Sequence, residues 1–202
     1  MFSGIIETIG EVQKIITNDG NQTFIISSEL ASELRSDQSL AHNGVCLTVE
    51  KVSLEKKTYQ VTAIQETLEK SMLGTLSVGD KINLERSLLA NGRVDGHFVQ
   101  GHVDCCGKIV EIERQEGSSE YYIEYPDKFE AWIVSKGSIC INGISLTVAK
   151  SLPEKHVISV CIIPYTIEHT NISDWKTGDK VNLEFDVLGK YVQKIISLRD
   201  GF

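Results

Sequence analysis

The chain is short of positive charge: 20 lysines and arginines stand against 28 aspartates and glutamates, a net charge of −8 over 202 residues. Nucleic acid and anionic membrane both require clustered cations, so neither is expected as a main partner. No apolar run approaches the ~18 residues that a membrane-spanning helix needs. The opening Met1-Phe2-Ser3-Gly4-Ile5-Ile6-Glu7 has neither the basic stretch nor the sustained apolar stretch of a secretory signal, so a cytoplasmic location is expected. Cysteine is scarce too. Cys46, Cys105, Cys106, Cys140 and Cys161 are odd in number and never spaced C-x-x-C, so neither a disulfide framework nor a zinc site is indicated. Gly-rich phosphate loops, dinucleotide fingerprints and H-E-x-x-H motifs are all missing. His97 and His102, five residues apart, do not share a strand face, and a shared metal is not expected.

What the chain does have is repetition. Asn43-Gly44-Val45-Cys46-Leu47-Thr48-Val49 returns as Asn142-Gly143-Ile144-Ser145-Leu146-Thr147-Val148, and Gly79-Asp80-Lys81-Ile82-Asn83-Leu84-Glu85 returns as Gly178-Asp179-Lys180-Val181-Asn182-Leu183-Glu184. Both blocks keep an offset of 99 (142 − 43 and 178 − 79). Gly4-Ile5-Ile6-Glu7-Thr8-Ile9-Gly10 is echoed by Gly101-His102-Val103-Asp104-Cys105-Cys106-Gly107 at an offset of 97 (101 − 4). A constant offset over long blocks marks a duplicated domain. The divisions expected are residues 1–97, 98–186 and a C-terminal extension, 187–202. Two like halves imply two like pockets, and a reaction between two similar molecules.

Runs rich in β-branched residues and bounded by turn chemistry predict strands at Thr23–Ser27, Gly44–Lys51, Tyr59–Ile64 and Lys81–Leu84. The second half repeats them at Lys108–Ile112, Tyr121–Tyr125, Cys140–Lys150, Val157–Ile163 and Lys180–Phe185. Short helices are predicted at Ser28–Leu34 and Lys128–Val134. So many short strands per half predict an all-β fold of two tandem Greek-key-type closed barrels, in which closure removes exposed sheet edges. The tail differs: apolar residues at 188, 191, 192, 195, 196 and 198 describe an amphipathic α-helix with no counterpart in the first half.

On a strand, residues i and i+2 share a face. Cys46 with Thr48, and Ser145 with Thr147, can therefore point together into a pocket; a buried core position is the alternative for such a cysteine. The segment Gly96-His97-Phe98-Val99-Gln100-Gly101-His102-Val103-Asp104 gathers the other chemistry-bearing residues. A histidine there can relay a proton near neutral pH.

The opening heptapeptide, His42 through Val49, Asn83-Leu84-Glu85-Arg86, Gly96 through Asp104, and Gly143 through Val148 together resemble riboflavin synthase of the trimeric kind, with duplicated lumazine-binding domains. The resemblance runs over the whole chain in one order. It implies a transferase that dismutates two molecules of 6,7-dimethyl-8-ribityllumazine, passing a four-carbon unit from one to the other. The products are riboflavin and 5-amino-6-(ribitylamino)pyrimidinedione, with no metal or other cofactor. It also implies first-half ligand contacts at Gly4, Ile5, Ile6, Cys46, Leu47, Thr48, at Thr62, Ala63, Ile64, Gln65, Glu66, Thr67, and at Gly101, His102, Val103. Second-half contacts fall on Lys136, on Ser145, Leu146, Thr147, and on Cys161, Ile162, Ile163, Pro164, Tyr165, Thr166. Of these, His102 is expected to relay protons, Cys46 and Ser145 to flank the reacting carbons, and Thr48 and Thr147 to bind the heterocycles. The family commonly has aspartate before the second Asn-Gly-type glycine, where this chain has Asn142. A non-catalytic lumazine- or flavin-binding antenna protein is the alternative; such relatives tend to lose Phe2, the Gly-His-x-x-x-Gly-His residues or the cysteine at position 46, all present here. A homotrimer joined by the C-terminal helix is the expected assembly.

Overall fold

A computed structural model describes residues 1–199. Strands β1 (Thr8–Asn18), β2 (Asn21–Ser27), β3 (Ser39–His42), β4 (Val45–Ser53), β5 (Thr58–Ala63) and β6 (Lys81–Arg86) close into one barrel in the order β1-β2-β5-β4-β3-β6. Strands β7 (Cys105–Gln115), β8 (Ser118–Glu124), β9 (Ser138–Ile141), β10 (Ile144–Leu152), β11 (Val157–Ile162) and β12 (Lys180–Phe185) close into a second with the corresponding order. All pairings are antiparallel, and each barrel carries one short helix after its fifth strand, α1 (Gln65–Lys70) or α2 (Pro164–His169). Even the irregularities are duplicated. A bulge at Val12/Lys14 on β1 returns at Ile109/Glu111 on β7, 97 residues on.

Inward-facing positions alternate with outward ones, as the period of a strand requires. Val12, Phe24, Ile26, Leu40, Val49 and Val61 fill the first barrel; Ile109, Tyr121, Ile123, Ile139, Val148 and Val160 occupy the matching places in the second.

The structure alters three local expectations. The predicted strand Cys140–Lys150 is two strands, β9 and β10, folded about Asn142-Gly143. There φ is 47° and 83°, the left-handed pair that a tight Asn-Gly hairpin turn requires. The predicted helices near Ser28 and Lys128 are short 3-10 helices, Glu29–Ser32 and Asp127–Trp132. Strands β1 and β3 and helices α1 and α2 were not expected. Gly10 and the polar residues of β1 blur its alternation, and β3 spans only four residues.

The barrels meet about a pseudo-twofold axis built from the repeated asparagines. Asn83 Nδ2 donates to Asn142 O at 2.9 Å, and Asn182 Nδ2 donates to Asn43 O at 2.8 Å. Asn43 Oδ1 accepts Asn83 N–H at 2.8 Å, and Asn142 Oδ1 accepts Asn182 N–H at 2.7 Å. Each of these asparagines is buried and bonded, as buried polar groups must be. Asn142 thus contributes one side-chain acceptor oxygen to the junction.

Candidate active site

The segments that precede the two barrels cross over. Gly4 and Ile6 reach the second barrel and Gly101 and Val103 the first, while Glu7 and Asp104 return each segment to its own barrel. The two segments touch at the axis, where Phe2 and Val99 exchange backbone hydrogen bonds of 2.7 and 3.1 Å. Phe2, Val99, Ala41 and Cys140 pack there in a small apolar plug, with Cys46 at its edge. Each strap is anchored by a buried carboxylate at the end of its own barrel's last strand. Glu85 accepts Ser3 N–H (2.7 Å), Ser3 Oγ–H (2.7 Å) and Gly4 N–H (3.0 Å). Glu184 accepts Gln100, Gly101 and His102 N–H at 2.6–2.9 Å. Burial raises the pKa of both carboxyls against the pull of these donors.

Across the gap, Gly4 O accepts Ser145 N–H at 2.8 Å, and Gly101 O accepts Cys46 N–H at 2.9 Å. Both glycines need the left-handed backbone, with φ of +78° and +80°. Any Cβ at either would sit 2.6 Å from Ser145 Cβ or 2.5 Å from Cys46 Cβ. Ile6 then packs on the second core and Val103 on the first. The sequence reading groups Gly4, Ile5 and Ile6 with the first half; in the structure Gly4 lies beside Ser145 and Ile6 on the second core, while Ile5 borders a cavity with Gln38, Ser39 and Arg86 of the first barrel. Gly101, His102 and Val103 do lie on the Cys46 side. A local reading misses the crossing because no strand ladder marks either strap.

On β4, Val45, Leu47 and Val49 point into the barrel, which turns Cys46 and Thr48 outward. The β4–β5 register, Val49 opposite Val61, sets Thr62 beside Thr48, and Thr62 Oγ1 lies 2.9 Å from Thr23 Oγ1. Exposed Ile64 and α1, with Gln65, Glu66 and Thr67, close the end of this shelf. In the second barrel Ser145 and Thr147 face out from β10, Val148 opposite Val160 puts Cys161 beside Thr147, and Ile163, Pro164, Tyr165 and Thr166 follow into α2. Lys136, with φ +66°, occupies the turn before β9 and bonds Val148 O. Leu47, Ala63, Leu146 and Ile162 point inward, so they offer these shelves backbone only.

The shelves are open. Ile64, Ile163 and Tyr165 are more than half exposed, at 55%, 57% and 66%. A 560 Å³ groove between the barrels, lined in part by Lys81, Asn171 and Trp175, contains none of these residues.

One contact at these shelves was not anticipated. His97 Nδ1 lies 2.7 Å from Ser145 Oγ, while His97 N–H donates to Ser3 O at 3.1 Å. Burial lowers the imidazole pKa, opposed by the Asp186 carboxylate, so the ring is uncharged at neutral pH and able to exchange a proton with the hydroxyl. His102, the histidine expected to relay protons, is exposed on the strap beside Cys46. His97 sits in the same Gly-His-rich segment, yet only the folded chain brings it 48 residues across to Ser145.

Two closed barrels with paired, outward-facing shelves define a class, and sequence comparison agrees. The lumazine binding domain family matches residues 3–87 and again residues 100–186. Riboflavin synthase of Actinobacillus pleuropneumoniae is 40% identical over 97% of this chain and 90% of its own length. Riboflavin synthase of Bacillus subtilis is 36% identical over the same shares. Among solved structures, LumP complexed with riboflavin superposes with a TM-score of 0.82 at 25% identity, covering 92% of this chain and 99% of that one. The chain belongs to the riboflavin synthase family, built from two lumazine-binding domains.

Proposed function

We propose that the protein converts two molecules of 6,7-dimethyl-8-ribityllumazine into riboflavin and 5-amino-6-(ribitylamino)pyrimidinedione. The observation that carries this is the doubled shelf: two near-equivalent outward surfaces, each with a hydroxyl- or thiol-bearing pair on one strand and a glycine strap beside it. Doubling suits a reaction in which donor and acceptor are the same compound. One molecule gives four carbons and the other receives them, so the pair balances without an outside oxidant or metal.

Acidic 7-methyl protons of the lumazine must be removed, and the uncharged His97 bonded to Ser145 is placed to take one. Holding two rings face to face contributes more, since orientation of reactants supplies roughly 7–11 kcal/mol in favourable cases. An open shelf covers only one face of a planar ring. We therefore assign the second face to a neighbouring subunit, in a homotrimer whose contact is the C-terminal helix α3 (Val187–Arg199). Leu188, Tyr191, Val192, Ile195 and Ile196 on that helix are all more than half exposed, which supports this use. No helix among the described residues is long and apolar enough to cross a membrane, and we place the enzyme in the cytoplasm.

The antenna reading has its own support, the likeness to LumP complexed with riboflavin. One assay separates them. A dialysed, chelator-treated sample given the ribityllumazine as sole substrate should develop riboflavin absorbance. Tight lumazine binding without turnover would favour the antenna.

A further inference from the structure

Each strap ends on an acid, Glu7 in the first and Asp104 in the second, at the repeat offset of 97. Both acids accept the backbone N–H of the residue that ends the last strand. Arg86 N–H donates to Glu7 Oε1 at 2.6 Å, and Phe185 N–H donates to Asp104 Oδ2 at 2.9 Å. There the likeness stops. Glu7 is also clamped by the guanidinium of Arg86, with Nε at 2.8 Å. Asp104 cannot be held in that way, because the residue matching Arg86 is Phe185, buried against Phe129 and Trp132.

The cation comes instead from α3, a long helix without a counterpart in the first half. Lys190 Nζ lies 2.7 Å from Asp104 Oδ1 and 2.6 Å from Oδ2, and 5.4 Å from the centre of the Trp132 ring. The two side chains of this ion pair are only 20% and 14% exposed, unlike the Arg86–Glu7 pair at 39% and 31%. Trp132 Nε1–H also donates to Gln193 Oε1, one turn further along α3. A half-buried carboxylate that loses its cation is left uncompensated in a poorly solvated place, so this pair resists separation.

From this geometry we infer that Lys190 is a positioning residue. Through Asp104 it fixes residues 100–104, the strap that carries His102 and receives Cys46 N–H, and so couples docking of the C-terminal helix to the shape of the first barrel's shelf. The inference rests on the reading of that shelf as a ligand site.

Lys190→Met and Lys190→Arg, made in the full chain, test it, with Lys194→Met on the exposed side of the same helix as control. Three quantities are measured on each: hydrogen exchange in peptides spanning 98–106 and 2–8, riboflavin titration, and assembly mass. Lys190→Met should exchange the amides of 100–102 at least tenfold faster while those of 3–4 stay as in the parent. It should also weaken one of two riboflavin sites at least tenfold, and Lys190→Arg should restore both. Parental exchange at 98–106 with two unchanged sites overturns the inference. So does equal loosening of both straps, which would make Lys190 a general support. If Lys190→Met does not fold, Asp104→Asn keeps the acceptor for Phe185 N–H and removes only the charge, with the same outcomes expected. A parent protein that takes up no riboflavin would instead sink the ligand reading, leaving the exchange measurement to judge the strap.

Discussion

The two barrels share a topology, a bulge and a junction, yet differ at several outward positions of the proposed shelves. On the shelf, Asp37, Cys46 and Thr62 of the first barrel correspond to Lys136, Ser145 and Cys161 of the second, each 99 residues on. The thiol has changed strands, and the turn residue, left-handed in both with φ of +69° and +66°, has changed sign of charge. On the strap, His102 corresponds to Ile5. Among the described residues, only the second shelf has a buried histidine bonded to its hydroxyl, and only the second barrel is followed by a long helix. Inside, His42 and Tyr59 bond at 3.0 Å where the second barrel has Ile141 and Ile158. Duplication supplied two copies of a surface, and divergence at a handful of outward positions gave the copies unlike chemistry. That is what a reaction needs when it must treat two identical molecules as donor and acceptor.

Removing the most unequal feature should have the largest effect. Deleting residues 187–202 takes away both the exposed apolar stripe and Lys190. Five such side chains contribute ~1.5–3 kcal/mol each when fully buried, so the truncated chain should sediment as a monomer and lose most turnover. A truncated trimer would refute the helix as the assembly contact, and an active monomer would refute a shared site.

Next in size is the histidine that only the second shelf has. His97→Ala should lower turnover by about 10²–10⁴-fold, the usual range for a positioned acid–base group. The parent's rate should also fall as pH drops through the lowered pKa of His97, and this limb should vanish in the variant. Cys46→Ser, which gives the first shelf the residue of the second, should cost far less. Steady-state rates across pH compare the two directly; equal losses would mean that the shelves are not differentiated in this way.

The smallest effect concerns the interiors. Burial pushes the His42 pKa from 6.5 down to about 4, so the folded barrel keeps it neutral while the unfolded chain binds its proton. The stability tied to this difference is fully present above about pH 6.5 and is lost as pH falls toward 4, about 3 kcal/mol in all. Urea unfolding at pH 7 and 4.5 should show this loss in the parent. It should be smaller in the H42I/Y59I variant, whose first barrel carries the residues of the second. Identical losses in both would exclude His42 as the source.

Much of the molecule was legible along the chain because it is local or repeated. Alternation at i and i+2 placed Cys46 with Thr48 and Ser145 with Thr147, and the strand geometry turns both pairs outward. The Asn-Gly dipeptides carry their own turn, although apolar runs on either side of the second make it resemble strand interior. Strand β1 was missed where Gly10 interrupts the pattern, and α1 and α2 were missed because six residues are too few for a helical period to emerge.

The sequence by itself determined the duplication, the all-β class, the outward shelf residues, the lone amphipathic helix and the family. Each of these is written in neighbouring residues or in a fixed offset. Only the tertiary structure decided that the straps cross, that Gly4 serves Ser145 and Gly101 serves Cys46, that His97 and not His102 bonds the second shelf's hydroxyl, and that Lys190 stands in for Arg86. Those contacts join residues 48 to 141 positions apart (145 − 4 for the widest) through extended segments without a ladder of their own. Their partners are set by where two closed barrels meet, a geometry that no local pattern of side chains encodes.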